Sequence, residues 1–281
     1  MKRILAAAAL VFATVGVTAQ NYSPSPDLEA LHVPFDALLD ENVRDGLVYY
    51  RALQANRGRL SRYIASLNSP SVLSGFAKWS DDQKKAFWLN AYNALVMQTV
   101  INHYPIRGAS KSYPTDSIRQ IPGAFEKTTH TIAGKPLTLD QIETTVLAEL
   151  DDPRVYLALG RGAVGSGRLR SEAFSTKAVD KQLAETKAQF AVTPRWAKVN
   201  LLAGKVSISP ILSWRSAAFI EEYADDSFDL PKREPLERAV IGFLRPHLNA
   251  AEEEFIMKNT FQLDYEPFDW RLNDLSGGRP D

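Results

Sequence analysis

Polar residues nearly vanish from the chain between Ser80 and Tyr104. From Ala86 to Ile101 only Asn90, Asn93, Gln98 and Thr99 interrupt the apolar run. A helix that is apolar almost all round is buried rather than laid on a surface. Ser80 and Gln83 form a capping box at its start, and Asp81 and Asp82 sit in the first turn, where the helix dipole favours negative charge. The spacing therefore predicts a buried central helix. Asn90 and Asn93, three apart, share one face. As buried amides they require partners, either in neighbouring backbone or in a lined site.

The flanking pattern is more ordinary. Apolar residues recur at helical spacing from Phe35 to Leu67, interrupted by an Asp45-Gly46 turn. Phe125 to Leu137 reads as a hairpin over Ala133-Gly134, and Val199 to Ile208 as a second hairpin over Ala203-Gly204. Thr138 and Gln141 form another capping box, predicting a helix through Leu150. The continuous apolar run Arg154 to Leu159 suits a buried strand. Helices are expected over Ser175–Phe190, Leu212–Tyr223 and Leu236–Leu248, and a last strand over Phe261–Tyr265. There is no repeat or interdomain linker. The elements add up to an α+β fold: one helix-rich domain, residues 35–275, with a small, mostly antiparallel sheet around the central helix.

The first residues change the picture. Lys2 and Arg3 precede an apolar, alanine-rich stretch, and Val17-Thr18-Ala19 supplies small residues before Gln20. This is the form of a secretory signal peptide over residues 1–19, pointing to a periplasmic or secreted protein of bacterial type. Residues 20–34 then read as a flexible lead and 276–281 as a frayed end. No other stretch is long and apolar enough to cross a bilayer once the signal is removed. The 281 residues include 33 basic and 33 acidic side chains, so no global charge recommends nucleic acid as a partner. Cysteine is absent, which excludes disulfides, a thiol nucleophile and thiolate metal sites.

Candidate chemistry is sparse. Gly160 to Gly167 is a glycine-rich loop carrying Arg161, with Arg168 and Arg170 just beyond. It lacks a P-loop lysine, so its best functional reading is carboxylate or other anion binding. Asp140 and Glu143 lie three apart on one helix face; Glu143 is expected to pair with Arg154 or Arg170. Arg107, Lys111 and Arg119 read as solvated loop charges, and Trp88, Tyr92, Trp214 and Trp270 as core. The four histidines are scattered and no HExxH is present, so no cofactor or metal site is expected.

Several segments, taken together, resemble the bacterial family called domain of unknown function 547. They are Phe35-Asp36-Ala37-Leu38-Leu39 with Gly46-Leu47-Val48-Tyr49-Tyr50, then Ala86 to Leu95 and Tyr104-Pro105. Ala133 to Glu143, Asp152-Pro153-Arg154, Trp214 and Asp269-Trp270-Arg271-Leu272-Asn273 complete the set. The resemblance runs from about Phe35 to Asn273. It implies a scaffold in which cysteine, histidine and an acid converge as in cysteine peptidases or transglutaminases. This chain departs from that set. Thr144 and Tyr156 stand where the family carries histidines, Arg161 and Ser166 where it carries cysteines, and Ala218 where it carries an acid. Gly167 replaces a proline.

Three readings follow. In the first, the scaffold persists without its catalytic set and binds a peptide, a cell-wall fragment or an envelope protein. The second is an amide or ester hydrolase, or acyl transferase, acting through Ser166, with His103 as the histidine considered for its base. The third is a purely structural envelope protein, with no concave site near Arg161 and Ser166.

Overall fold

The computed structural model describes residues 27–224, 230 and 232–276. The expected signal peptide, residues 20–26 of the lead, part of the 225–235 breaker run and residues 277–281 lie outside the described residues.

Helix α5 (Asp81–His103) runs through the core with fifteen of its side chains buried. Its capping box is formed, the Gln83 amide donating to Ser80 Oγ and Gln83 Oε1 accepting from the Ser80 amide. Around it pack α1 (Leu28–Asn42), α2 (Tyr50–Ala55) and α3 (Arg57–Ser66) on the N-terminal side. Phe35 stacks on Tyr63 at 4.8 Å between ring centroids, joining α1 to α3. Helix α1 begins at Leu28, seven residues before the expected domain start, because Asp27 caps it and buried Leu28 and His32 anchor its first turns. Helix α4 (Pro70–Gly75) leads into α5.

Strand content among the described residues is small and divided among three sheets. Strands β1 (Val43–Arg44) and β2 (Leu47–Val48) pair across Asp45-Gly46, and β3 (Thr129–Ile132) and β4 (Lys135–Thr138) across Ala133-Gly134. Both residues of each turn have positive φ, 52° and 81° in the first and 48° and 74° in the second, the mirror-image geometry that suits the twist of a two-residue hairpin. Strands β5 (Ala197–Asn200) and β6 (Lys205–Ile208) are antiparallel, and β7 (Gln262–Tyr265) joins β6 in parallel. The remaining helices are α6 (Leu139–Gln141), α7 (Arg154–Leu157), α8 (Val179–Val192), α9 (Ile211–Trp214), α10 (Ser216–Tyr223), α11 (Pro235–Leu244) and α12 (Ala250–Met257). The α+β class is as expected. No helix among the described residues is long and apolar enough to cross a membrane.

Two expectations fail locally. Arg154 to Leu157, read as a strand, is the short helix α7. Asp152 Oδ1 accepts the Arg154 amide at 3.1 Å and Pro153 O the Tyr156 amide at 3.2 Å, so the Asp-Pro pair starts a helical turn. The helix expected from Thr138 to Leu150 breaks into three pieces. After α6 the chain makes a π-turn over Ile142–Val146, with the Leu147 amide on Ile142 O at 2.9 Å, then a short 3-10 turn, Ala148–Leu150. Such wide turns insert one extra residue and re-aim side chains.

The C-terminal segment closes the fold. Asn273 receives the Tyr50 hydroxyl at 2.8 Å and donates to Gly46 O at 2.9 Å, while its carbonyl accepts the Val48 amide. The amides of Val164 and Gly165 donate to Arg271 O and Asp269 O. The Asp269–Asn273 segment is thereby tied both to the β1–β2 turn and to the glycine loop, which puts Trp270 beside Phe125 and Trp214.

Candidate functional site

The glycine loop is held from below by α5. Asn93 Oδ1 accepts the Gly160 amide at 2.8 Å and its Nδ2 donates to Ala158 O at 3.3 Å. One turn earlier, Asn90 exchanges two hydrogen bonds with the backbone of Phe174, at 2.8 and 2.9 Å. Both buried amides are thus satisfied by backbone, so they position the loop 160–174 and do not face a ligand. The loop packs closely. A Cβ at Gly167 would stand 1.7 Å from Leu157 O, and one at Gly165 would stand 2.7 Å from the Asp269 amide.

At the head of this loop Arg161 turns inward. It is only 2% exposed and grips Glu143 with two hydrogen bonds, Nη2 to Oε1 at 2.7 Å and Nε to Oε2 at 3.1 Å. Its Nη1 donates to Tyr156 O at 3.2 Å. Glu143 also receives Arg215 Nη2 at 3.2 Å and the Tyr92 hydroxyl at 3.3 Å. Burial alone would raise the Glu143 carboxyl, but the adjacent Arg161 and Arg215 guanidinium groups outweigh it and hold the carboxyl below its usual range. Burial pushes the Tyr92 hydroxyl well up, and neighbouring Glu143 adds to it, so Tyr92 remains a neutral donor.

Glu143 and Arg161 form the base of a cleft of about 190 Å³, completed by Arg119, Phe125, Asp140, Trp214, Arg215 and Trp270. Its wall is aromatic. Trp214 and Trp270 lie nearly parallel, 16° apart with centroids at 6.3 Å, and Phe268 supports both. Arg119 lies 4.4 Å from the Phe125 ring centroid and 4.7 Å from that of Trp270, within the range of cation–π attraction, and pairs with Glu126. Asp140 sits one turn before Glu143; its side chain is exposed and has no hydrogen-bond or ion-pair partner among the described residues.

The expected site residues do not all meet here. Glu143 and Arg161 do, but Glu143 pairs with Arg161 and Arg215, not with Arg154 or Arg170. Arg154 is occupied by Asp152 at 2.9 Å and Asp180 at 2.8 Å, on another part of the surface. Arg168 pairs with Asp45, and Arg170 with Glu172 and Glu185; both border a separate hollow. The three loop arginines therefore form no common anion site, because the backbone turns Arg161 toward the core and carries the other two out to the surface. Ser166 is buried, and its Oγ accepts the Arg161 amide at 3.0 Å. His103 meets Thr99 O at 2.9 Å in the last turn of α5, and no hydrogen bond joins it to Ser166. Thr144 donates to Asp140 O, Tyr156 is buried against Arg215, and Ala218 is half-buried on α10.

Two cleft residues escaped the sequence reading. Arg119 reads in the sequence as a solvated loop charge and Arg215 belongs to no motif, yet both line the cleft. The available signal was adjacency: Arg215 follows Trp214, an aromatic already set apart. Trp214 and Trp270, read as core, are 38% exposed and half-buried and line the cleft.

The family model described as Protein of unknown function, DUF547, matches residues 76–191. The match over that segment supports assigning it to the DUF547 family. No curated protein and no solved structure matches it. The DUF547 segment supplies α5, the π-turn and the glycine loop, hence Arg119, Phe125, Asp140, Glu143 and Arg161. Trp214, Arg215 and Trp270 come from the chain that follows it and close the cleft.

Proposed function

We propose that this protein is exported and binds without cleaving, taking the carboxylate-bearing end of a peptide or cell-wall fragment into the Arg119–Trp270 cleft. One observation carries the reading. Where the family resemblance places a cysteine, Arg161 is committed to Glu143, and among the described residues no hydroxyl, thiol or imidazole side chain lines the cleft. What remains there is two arginines, three aromatic rings and the exposed Asp140. Arg161 is consumed by its partner, but the side chains of Arg119 and Arg215 are each 26% exposed and can present N–H donors to a carboxylate. The tryptophan wall offers apolar contact to the group that carries it.

Binding is tested by tryptophan fluorescence and calorimetry with N-acetylated peptides that end in a carboxylate or in an amide. Preference for the carboxylate, weakened by Arg215→Gln, is the expected result; equal binding of the two overturns it. The hydrolase reading is tested in parallel. Amide or ester hydrolysis abolished by Ser166→Ala would refute binding without cleavage. Export predicts a mature protein beginning at Gln20, which N-terminal sequencing of the protein from the periplasm or medium checks.

A further inference from the structure

The cleft holds two acids in different states. Glu143 is buried and has its charge answered by two guanidinium groups and a hydroxyl. Asp140 lines the same cleft, exposed, with no partner among the described residues. The accessible cations, Arg119 and Arg215, line that cleft too, along with three aromatic rings. A purely anionic ligand would bring its charge up to the Asp140 carboxylate, and a purely cationic one to the arginines. A ligand carrying both charges a few bonds apart suits both. The volume, about 190 Å³, is less than the roughly 300 Å³ at which drug-sized sites begin, which favours a small ligand or the end of a larger one.

We infer that the cleft recognises a zwitterion, a free α-amino acid or its equivalent at an unblocked peptide end, with Asp140 taking the ammonium and Arg215 the carboxylate. The Trp214 and Trp270 rings then take the side chain, favouring an aromatic or other apolar one. Asp140 acquires this task from its position in the chain. It lies in the first turn of α6, and the π-turn that follows keeps Glu143 directed at Arg161. The inference rests on the carboxylate-binding reading above and adds the ammonium to it.

The test uses phenylalanine, N-acetylphenylalanine and phenylalanine amide, titrated at pH 7 into the folded protein and followed by tryptophan fluorescence. Phenylalanine is expected to bind at least five-fold more tightly than either blocked form. Asp140→Asn should abolish the advantage over N-acetylphenylalanine without weakening N-acetylphenylalanine itself, and circular dichroism verifies that the variant is folded. If N-acetylphenylalanine binds as tightly as phenylalanine, the ammonium site is refuted and the carboxylate reading survives. If phenylalanine amide binds as tightly as phenylalanine, or none of the three binds, both are overturned.

Discussion

Replacing Arg161 by methionine tests what the buried pair contributes. The substitution keeps most of the stem's volume but leaves the Glu143 carboxylate buried with Arg215 and Tyr92 alone. Removing one partner of a buried pair costs about 3–5 kcal/mol. Arg215, at 3.2 Å, retains some of the compensation, so the lower end, about 3 kcal/mol, is expected. For a domain of this size that lowers the melting temperature by about 6–12 °C. The pH dependence gives a second handle. With Arg161 present the folded-state pKa of Glu143 is depressed, so the pair's contribution is present above the unfolded-state value and lost as pH falls through the folded one. Without Arg161, burial raises that pKa, and the carboxylate takes up a proton at higher pH, which relieves the buried charge. The deficit of Arg161→Met relative to wild type should therefore shrink between pH 7 and pH 4 in urea unfolding. The Glu143→Gln/Arg161→Met double variant should lose less than the two singles added together. A deficit below about 1 kcal/mol at pH 7, or one that is unchanged at pH 4, would refute the reasoning.

Asn93→Leu removes both loop contacts and strands the buried Gly160 amide; it should lower stability by about 2–4 kcal/mol, and unchanged thermal unfolding would contradict its role in holding the loop. Gly167→Ala should cost at least about 3 kcal/mol or prevent soluble expression, because its Cβ has no room beside Leu157 O; a wild-type melting curve would show otherwise. Burial lowers the His32 pKa to about 4, with Glu29 opposing, so the folded state favours the neutral ring. Its contribution is complete above the unfolded value of 6.5 and is lost as pH falls toward 4, up to about 3 kcal/mol. His32→Leu should flatten that part of the stability profile, and an unaltered slope counts against it.

Much of this fold is local chemistry written along the chain. The Ser80–Gln83 capping box, the apolar run of α5 and the Asp45-Gly46 and Ala133-Gly134 turns each depend on neighbours within four or five residues, and each forms where its pattern stands. The segments between residues 76 and 191 that resemble the DUF547 family were legible in the same way, and so was the absence of cysteine. Where a pattern was short and ambiguous it misled. The five apolar residues that follow Asp152-Pro153-Arg154 fit a buried strand as well as a helix, and the turn in which Asp152 Oδ1 accepts the Arg154 amide led the chain into α7.

The site was legible only in part. Glu143 and Arg161 were singled out separately, yet they are 18 residues apart, and Glu143 and Arg215 are 72 apart. No periodicity links positions so distant, because a charge records nothing in the sequence about which opposite charge it will meet. Three tertiary features made that choice. Asn93 holds the glycine loop over α5, the π-turn aims Glu143, and the Asp269–Asn273 segment brings Trp270 to the rim. The sequence by itself settled that cysteine chemistry is absent and that a central helix organises the core. Only the tertiary structure decided that an arginine stands at the base of a small aromatic cleft, since that requires three remote segments to be packed against one another at once.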